Sequence, residues 1–252
     1  MMIALPLFSF VIALVFRTNF LLSILLFFGL PSLYLSIRNP RTITKTSIFS
    51  FLLSIPATFI FDYLLVRDNA WYIVSTIFPF RLFQVVVLEQ FIFSFLWILF
   101  IITIYESFFD RKIPFQKKRL ISKSMLIFGL TAVIAVFMLI GVIFINPQIT
   151  IISYSYAFLG TVFFIIPLLL FLWYFPHLFR RFMAITIYFF LFSLLVEFAG
   201  LNLNYWIFPG SHYLWTIRYF GVRIPIEEVL FYFVVSTPGI LAYYEYLDDD
   251  RK

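Results

Sequence analysis

Eight apolar stretches, at residues 1–16, 19–36, 46–66, 82–106, 121–145, 149–174, 182–200 and 224–245, are separated by short polar or aromatic segments. Most approach the roughly 20 residues that carry an α-helix across a bilayer core. They are continuously apolar, without the strict alternation that a spanning β-barrel needs. The pattern predicts an all-α membrane protein, a polytopic bundle of seven or eight transmembrane helices. The first stretch, Met1 to Phe16, has no basic leader and ends at Arg17 rather than at a small-residue cleavage site, so it reads as a retained helix.

Composition supports this reading. Of 252 residues, 63% are hydrophobic and only 12% charged, well outside the range of a soluble domain. The chain has no cysteine, which removes disulfides, thiolate metal sites and cysteine nucleophiles together. A net charge of +6 would suggest nucleic acid in a soluble protein; in a membrane chain it reports orientation, and no nucleic-acid partner is expected. The basic residues gather in the tail and in the loops after spans 2, 4 and 6, above all in Arg111, Lys112, Lys117, Lys118, Arg119 and Lys123. Both termini of a multi-pass cell-membrane protein are therefore expected on the cytoplasmic side, with the basic loop solvated at lipid headgroups.

The chain also repeats itself. A shift of 135 residues places Lys45 on Arg180, Asp62 on Glu197, Asn69 on Asn204 and Trp71 on Trp206; a shift of 138 then places Leu88-Glu89 on Ile226-Glu227 and Phe93 on Phe231. Acid, amide and indole at matched spacing go beyond shared apolar composition. Two related four-helix halves are expected, residues 1–120 and 121–252. Because four helices separate the copies, the halves share one orientation and their pseudo-symmetry axis follows the membrane normal.

Candidate chemistry lies in the acids within the apolar stretches. An ionised carboxylate at the centre of a membrane helix costs roughly 2.5 to 3.5 kcal/mol, so such groups face the bundle interior, find partners or hold a proton. Asp62, Glu89 and Glu197 lie inside or at the edges of spans, and Glu227-Glu228 open the last one behind Pro225. Adjacent Glu227 and Glu228 point about 100° apart on a helix, which lets one face a cavity while the other takes Arg218 or Arg223. A protonated acid beside an ionised one is a general acid and base in one site. Glu106 and Glu245, beside Tyr105 and Tyr244, read instead as interhelical hydrogen-bond partners.

Several of these residues form a familiar series: Asn204-Tyr205-Trp206-Ile207-Phe208-Pro209, Gly221, then Ile224-Pro225-Ile226-Glu227-Glu228-Val229-Leu230-Phe231, closing in Tyr244-Glu245. The series resembles the lycopene cyclase domain of the integral-membrane carotenoid cyclases, a family built from two homologous multi-helix halves. The resemblance covers roughly residues 19–106 and 149–245. Glu197 stands where the family usually has Asp. In the first half Val87-Leu88-Glu89-Gln90 replaces Pro-x-Glu-Glu, and Gln90 cannot yield a proton at neutral pH.

The resemblance implies a redox-neutral cyclisation of a linear carotenoid. A proton adds to the terminal alkene, a neighbouring alkene attacks the cation, and loss of a proton fixes the ring. Glu227 or Glu228 is then the expected donor, with Glu89, Glu197 and Asp62 as base or orienting groups. Trp206, Phe208, Trp71, Phe231 and Pro225 would bind substrate, with Tyr205 and Tyr232 nearby; aromatic faces stabilise cations through their quadrupoles. The implied partner is a linear carotenoid already in the bilayer, and other carotenoid-biosynthetic enzymes are possible partners.

No cofactor is expected: the glycines never form Gly-x-Gly, and His177 and His212 lie in different loops without metal-ligand spacing. Both histidines read as membrane-interface residues. Parallel repeats with intramembrane acids also describe a proton-coupled transporter, in which Pro56 and Pro238 would kink helices. A non-catalytic partner of a carotenoid enzyme is the third alternative.

Overall fold

A computed structural model describes residues 2–109 and 122–247. The basic residues from Arg111 to Arg119 and the Asp248-Asp249-Asp250 tail lie outside the described residues, whereas Lys123 opens a helix. The helices are α1 (Ala4–Val15), α2 (Phe20–Arg38), α3 (Ile43–Arg67), α4 (Leu88–Phe108), α5 (Lys123–Ile145), α6 (Ser155–Tyr174) and α7 (Phe179–Asn202). The last helix, α8, is π-helical over Glu228–Val235 and continues as the α-helical Ser236–Leu247. Among the described residues six helices, α2 to α7, are long and apolar enough to cross a membrane, and the chain is an all-α polytopic membrane bundle. The 12 residues of α1 rise only about 18 Å, short of a bilayer core of about 30 Å.

Helix starts follow local chemistry. Asn19 caps α2 by accepting the Leu22 N–H at 2.8 Å, and Ser122 caps α5 by accepting the Met125 N–H at 3.0 Å. At α6 the cap comes from another element. Asp68, just past the end of α3, accepts the Ser155 N–H at 3.0 Å and the Ser155 hydroxyl at 2.9 Å.

The fourth and eighth spans begin later than their hydropathy predicts. Residues 82–87 form a hairpin in which β2 (Arg81–Leu82) pairs with β3 (Val86–Val87), turning through left-handed Phe83 and Gln84. Its counterpart pairs β5 (Thr216–Tyr219) with β6 (Val222–Pro225) through Phe220 and Gly221, so residues 224–225 are strand as well. Valines and isoleucines at a span's edge serve a buried hairpin as well as a helix, so hydropathy merges the two. Between the hairpins, β1 (Tyr72–Ile73) lies antiparallel to β4 (Trp206–Ile207).

Several structural features recur at spacings of 135 to 139 residues. Asn69 and Asn204 share a left-handed φ of 55°. Helices α2 and α6 each carry a π-helical turn, Leu25–Gly29 and Thr161–Ile165, followed by Pro31 and Pro167. At one end of the bundle Tyr72 pairs with Ile207, its own counterpart. At the other end the Tyr105 hydroxyl donates to Glu245 and the Tyr244 hydroxyl donates to Glu106, with the two rings 6.4 Å apart. These reciprocal contacts describe an approximate two-fold axis running from the β1–β4 ribbon to the tyrosine pair. Lys45 adds an ion pair to Glu106 at 3.7 Å.

Phenylalanine fills the space around this axis. Phe28, Phe100 and Phe189 are almost fully buried and meet Phe192 edge-on at 5.3 to 5.9 Å. On the outer turn of α7, Gly200 lets the Trp206 indole lie against the helix backbone, since a Cβ there would come within 2.2 Å of the ring. Gly200→Ala should cost about 1 to 3 kcal/mol and lower the thermal midpoint in detergent. Gly141→Ala, where nothing lies within 4 Å, should leave the midpoint unchanged or raised.

Candidate functional site

A cavity of about 140 Å³ lies between the matched elements. Its wall takes residues in counterpart pairs: Asp62 and Glu197, Trp71 and Trp206, Gln90 and Glu228, Phe93 and Phe231. Thr58, Ser94, Tyr156, Tyr232 and Ser236 add hydroxyls, and the rest of the wall is apolar. A site of this kind, largely hydrophobic with a few convergent polar groups, is the usual form of a small-molecule pocket.

The polar groups are individually placed. Glu228 stands on the first turn of the π-helical part of α8 and receives the hydroxyl of Tyr156, from the first turn of α6. Glu197, on α7, receives the Trp206 indole N–H at 3.1 Å; its Oε2 is buried with no hydrogen-bond partner among the described residues. Asp62, on α3, is 4% exposed and lines the same space. Gly160 keeps the cavity compact on the α6 side, because a Cβ there would stand 2.2 Å from the Phe231 ring.

The first glutamate of each motif has a structural task. Glu89 is fully buried, and its Oε1 accepts the backbone N–H groups of Ile77 and Phe78 at 2.5 and 3.0 Å. Its counterpart Glu227 is equally buried and accepts the Leu214 N–H. Both carboxyls tie down the loop ahead of a hairpin and stand outside the cavity lining. Arg218 and Arg223 face each other across the β5–β6 register, and among the described residues neither pairs with Glu227 or Glu228. Of the expected aromatic and loop contacts, Trp71, Trp206, Phe231 and Tyr232 line the cavity. Pro225 is buried in β6 opposite Thr216, Phe208 packs on the surrounding core, and Tyr205 donates to the Thr18 carbonyl oxygen at 2.7 Å.

Comparison with protein-family models, with curated proteins and with solved structures finds no match to this chain. The site therefore rests on its own geometry. No cluster of three or more His, Asp or Glu suited to a metal ion occurs among the described residues.

Three features escape a reading by spacing. Tyr156 becomes visible only when a shift of 136, that of the two π-helical turns, sets it on Phe20; a hydroxyl then appears where its counterpart has none. Asp68 binds not only Ser155 but also His212 Nδ1 at 2.7 Å, so His212 fastens a loop. Next to it Tyr213 donates to the Ala70 carbonyl oxygen at 2.9 Å, and burial pushes its phenol up to about 12, which keeps that donor protonated. No sequence spacing links Asp68 to residues 155 and 212.

The contrast between Glu227 and Glu228 predicts different stability effects. Glu227→Ala strands a buried backbone donor and should cost about 1 to 3 kcal/mol in denaturant titrations of the detergent-solubilised protein. Glu228→Gln keeps an acceptor for Tyr156 and should leave the midpoint nearly unchanged.

Proposed function

We propose that this chain is a carotenoid cyclase of the lycopene β-cyclase kind, an isomerase that closes an end-group ring without redox change. The single observation that carries the reading is a Tyr156-bound Glu228 facing Asp62 and Glu197 across one apolar cavity. Carbocation chemistry needs a proton donor, a proton acceptor and the exclusion of water. The wall supplies carboxyl groups for both proton transfers and apolar rings for the third requirement.

In this mechanism Glu228 carries the proton, and Tyr156, donating to Oε2, leaves Oε1 to deliver it. The proton adds to C2 of the terminal alkene, leaving a tertiary cation at C1. The neighbouring alkene closes the C1–C6 bond and moves the charge to C5. A proton then leaves an adjacent carbon to Asp62, the cavity carboxyl held by neither a phenol nor an indole. One proton enters and one leaves, so substrate and product are isomers. Glu197, fixed by Trp206, stands on the same wall, and the faces of Trp71, Trp206 and Phe231 stabilise the cation through their quadrupoles. The substrate is apolar and already in the bilayer, with both termini of the chain on the cytoplasmic side by the distribution of Lys and Arg.

The size of the cavity supports an end group as the reacting part. A dry cavity of about 150 Å³ accommodates benzene. About 140 Å³ therefore matches one six-membered ring and excludes the rest of a long polyene.

Expression in cells that accumulate linear carotenoid, followed by pigment chromatography, should show cyclic end groups. In deuterium oxide each ring should carry one deuterium at C2. Glu228→Gln should lower the rate by about 10² to 10⁴, the usual contribution of a positioned proton donor. Rings formed at the full rate by this variant would exclude the assignment.

A further inference from the structure

The cavity has a collapsed mate. A second void of only about 10 Å³ is lined by Phe20, Ser23, Ile24, Phe27, Phe28, Phe93, Val196, Tyr205 and Trp206. Under the shifts of 135, 136 and 138 these positions fall on residues 156, 159, 160, 163, 164, 231, 61, 70 and 71, most of which border the open cavity. The two-fold relation carries the paired centre of the cavity onto itself and sets its lobe beside Phe61, Gly160 and Phe164 against this second void. One is open and the other is shut.

Several counterparts differ between the two sides, among them two that are smaller on the open side. Ala57 on the open side corresponds to Phe192 on the closed side, and Gly160 corresponds to Ile24. Phe192 fills its side, meeting Phe27 at 6.0 Å and Phe28 at 5.3 Å edge-on; Phe27, Phe28 and Phe192 are all between 1% and 3% exposed. With Ala57 in the equivalent place, α3 and α6 meet there through ring contacts of Phe61 with Phe163 and Phe164, at 5.5 and 5.6 Å, and all three rings are only half-buried.

We infer that the seam where α3 meets the π-helical turn of α6 is a lateral portal of the site, through which the polyene tail of the substrate passes into the bilayer while its end group occupies the cavity. This rests on the reading of the chain as an enzyme acting on a linear isoprenoid. The occupant follows from continuity: a cavity sized for one ring requires the remaining chain to leave, and the apolar exit that the wall provides is the seam of half-buried phenylalanines facing lipid. Ala57 is then a specificity-determining position. The shut mate removes the rotated pose, so one end group reacts in each binding event.

The test uses the full-length protein in lipid nanodiscs and a C20 acyclic isoprenoid with one dimethyl-alkene terminus and a diazirine placed beyond its second isoprene unit. On illumination the label should fall on α3 and α6 around Phe61, Phe163 and Phe164. Label on α2 and α7 around Phe27, Phe28 and Phe192, label shared equally between the two sides, or no label on α3 and α6 would each overturn the portal. Ala57→Phe, which copies the closed wall, should abolish labelling and lower ring formation about 10- to 200-fold. If that variant does not fold, Phe192→Ala serves instead: it should create new labelling on α7 without loss of labelling on α3, and unchanged labelling counts against the portal. Labelling needs binding alone, so portal label without rings would retire the cyclase reading and keep the portal. Rings without portal label would do the reverse.

Discussion

A carboxylate in hydrocarbon must have a partner, and that requirement organises the bundle. Ionised acids at the centre of a membrane helix cost several kilocalories per mole unless the protein replaces the lost water. The buried acids of this chain meet the requirement in distinct ways. Glu106 and Glu245 take phenols across the axis, and Lys45 approaches Glu106. Glu89 and Glu227 take backbone amides of the loops, and Asp68 takes a helix N-terminus and an imidazole. The bonds of Glu106, Glu245 and Asp68 join elements distant in sequence, so satisfying the charge also fixes the packing. The cavity opens where Asp62, Glu197 and Glu228 share one wall.

Four of the structural acids, Glu89, Glu106, Glu227 and Glu245, obey the two-fold relation, and the cavity departs from it. The tyrosine–glutamate exchange is reciprocal, and Glu89 and Glu227 hold corresponding loops. Gln90 and Phe20, by contrast, stand where Glu228 and Tyr156 form their hydrogen bond. Both members of that pair are changed together, to an amide and to an apolar ring. An unpartnered buried hydroxyl or acid carries a desolvation penalty, so losing one member favours losing the other. The result is a symmetric frame around an asymmetric site.

Most of the frame is legible in the sequence because its signals are long. Twenty apolar residues leave few alternatives in a chain this hydrophobic, and Asp62, Glu197, Trp71 and Trp206 mark the repeat at matched spacing. The hairpins are not legible: Val85, Val86 and Val87 run without a polar break into Leu88, and hydropathy has no means of separating a buried strand from a helix turn. The site is half legible. Spacing groups Glu227 with Glu228, but which of them faces the cavity depends on where the Leu214 amide lies, a contact made by the fold. Asp68, Ser155 and His212 are further apart still, and polar residues near predicted helix ends are too common to single out three of them.

The last asymmetry concerns the helix that carries Glu228. Between Phe93 and Phe231 the counterparts differ by 138 positions, and between Tyr105 and Tyr244 by 139, so one extra residue lies between them in the second half. Helix α4 is plain α-helix over the corresponding stretch, whereas α8 is π-helical from Glu228 to Val235. A π-helical stretch is how a helix absorbs an inserted residue, and such bulges gather at functional sites. Inserted into a regular α-helix, one residue would rotate everything beyond it by about 100°. It would then carry either Glu228 and Phe231 or Tyr244 and Glu245 off the axis. The wider turn takes up that rotation locally. Tyr244 keeps its bond to Glu106, Glu245 keeps its bond to Tyr105, and Glu228 still meets Tyr156. The structural end of α8 is thereby uncoupled from its chemical end, which lets the second half carry a different wall on the same frame.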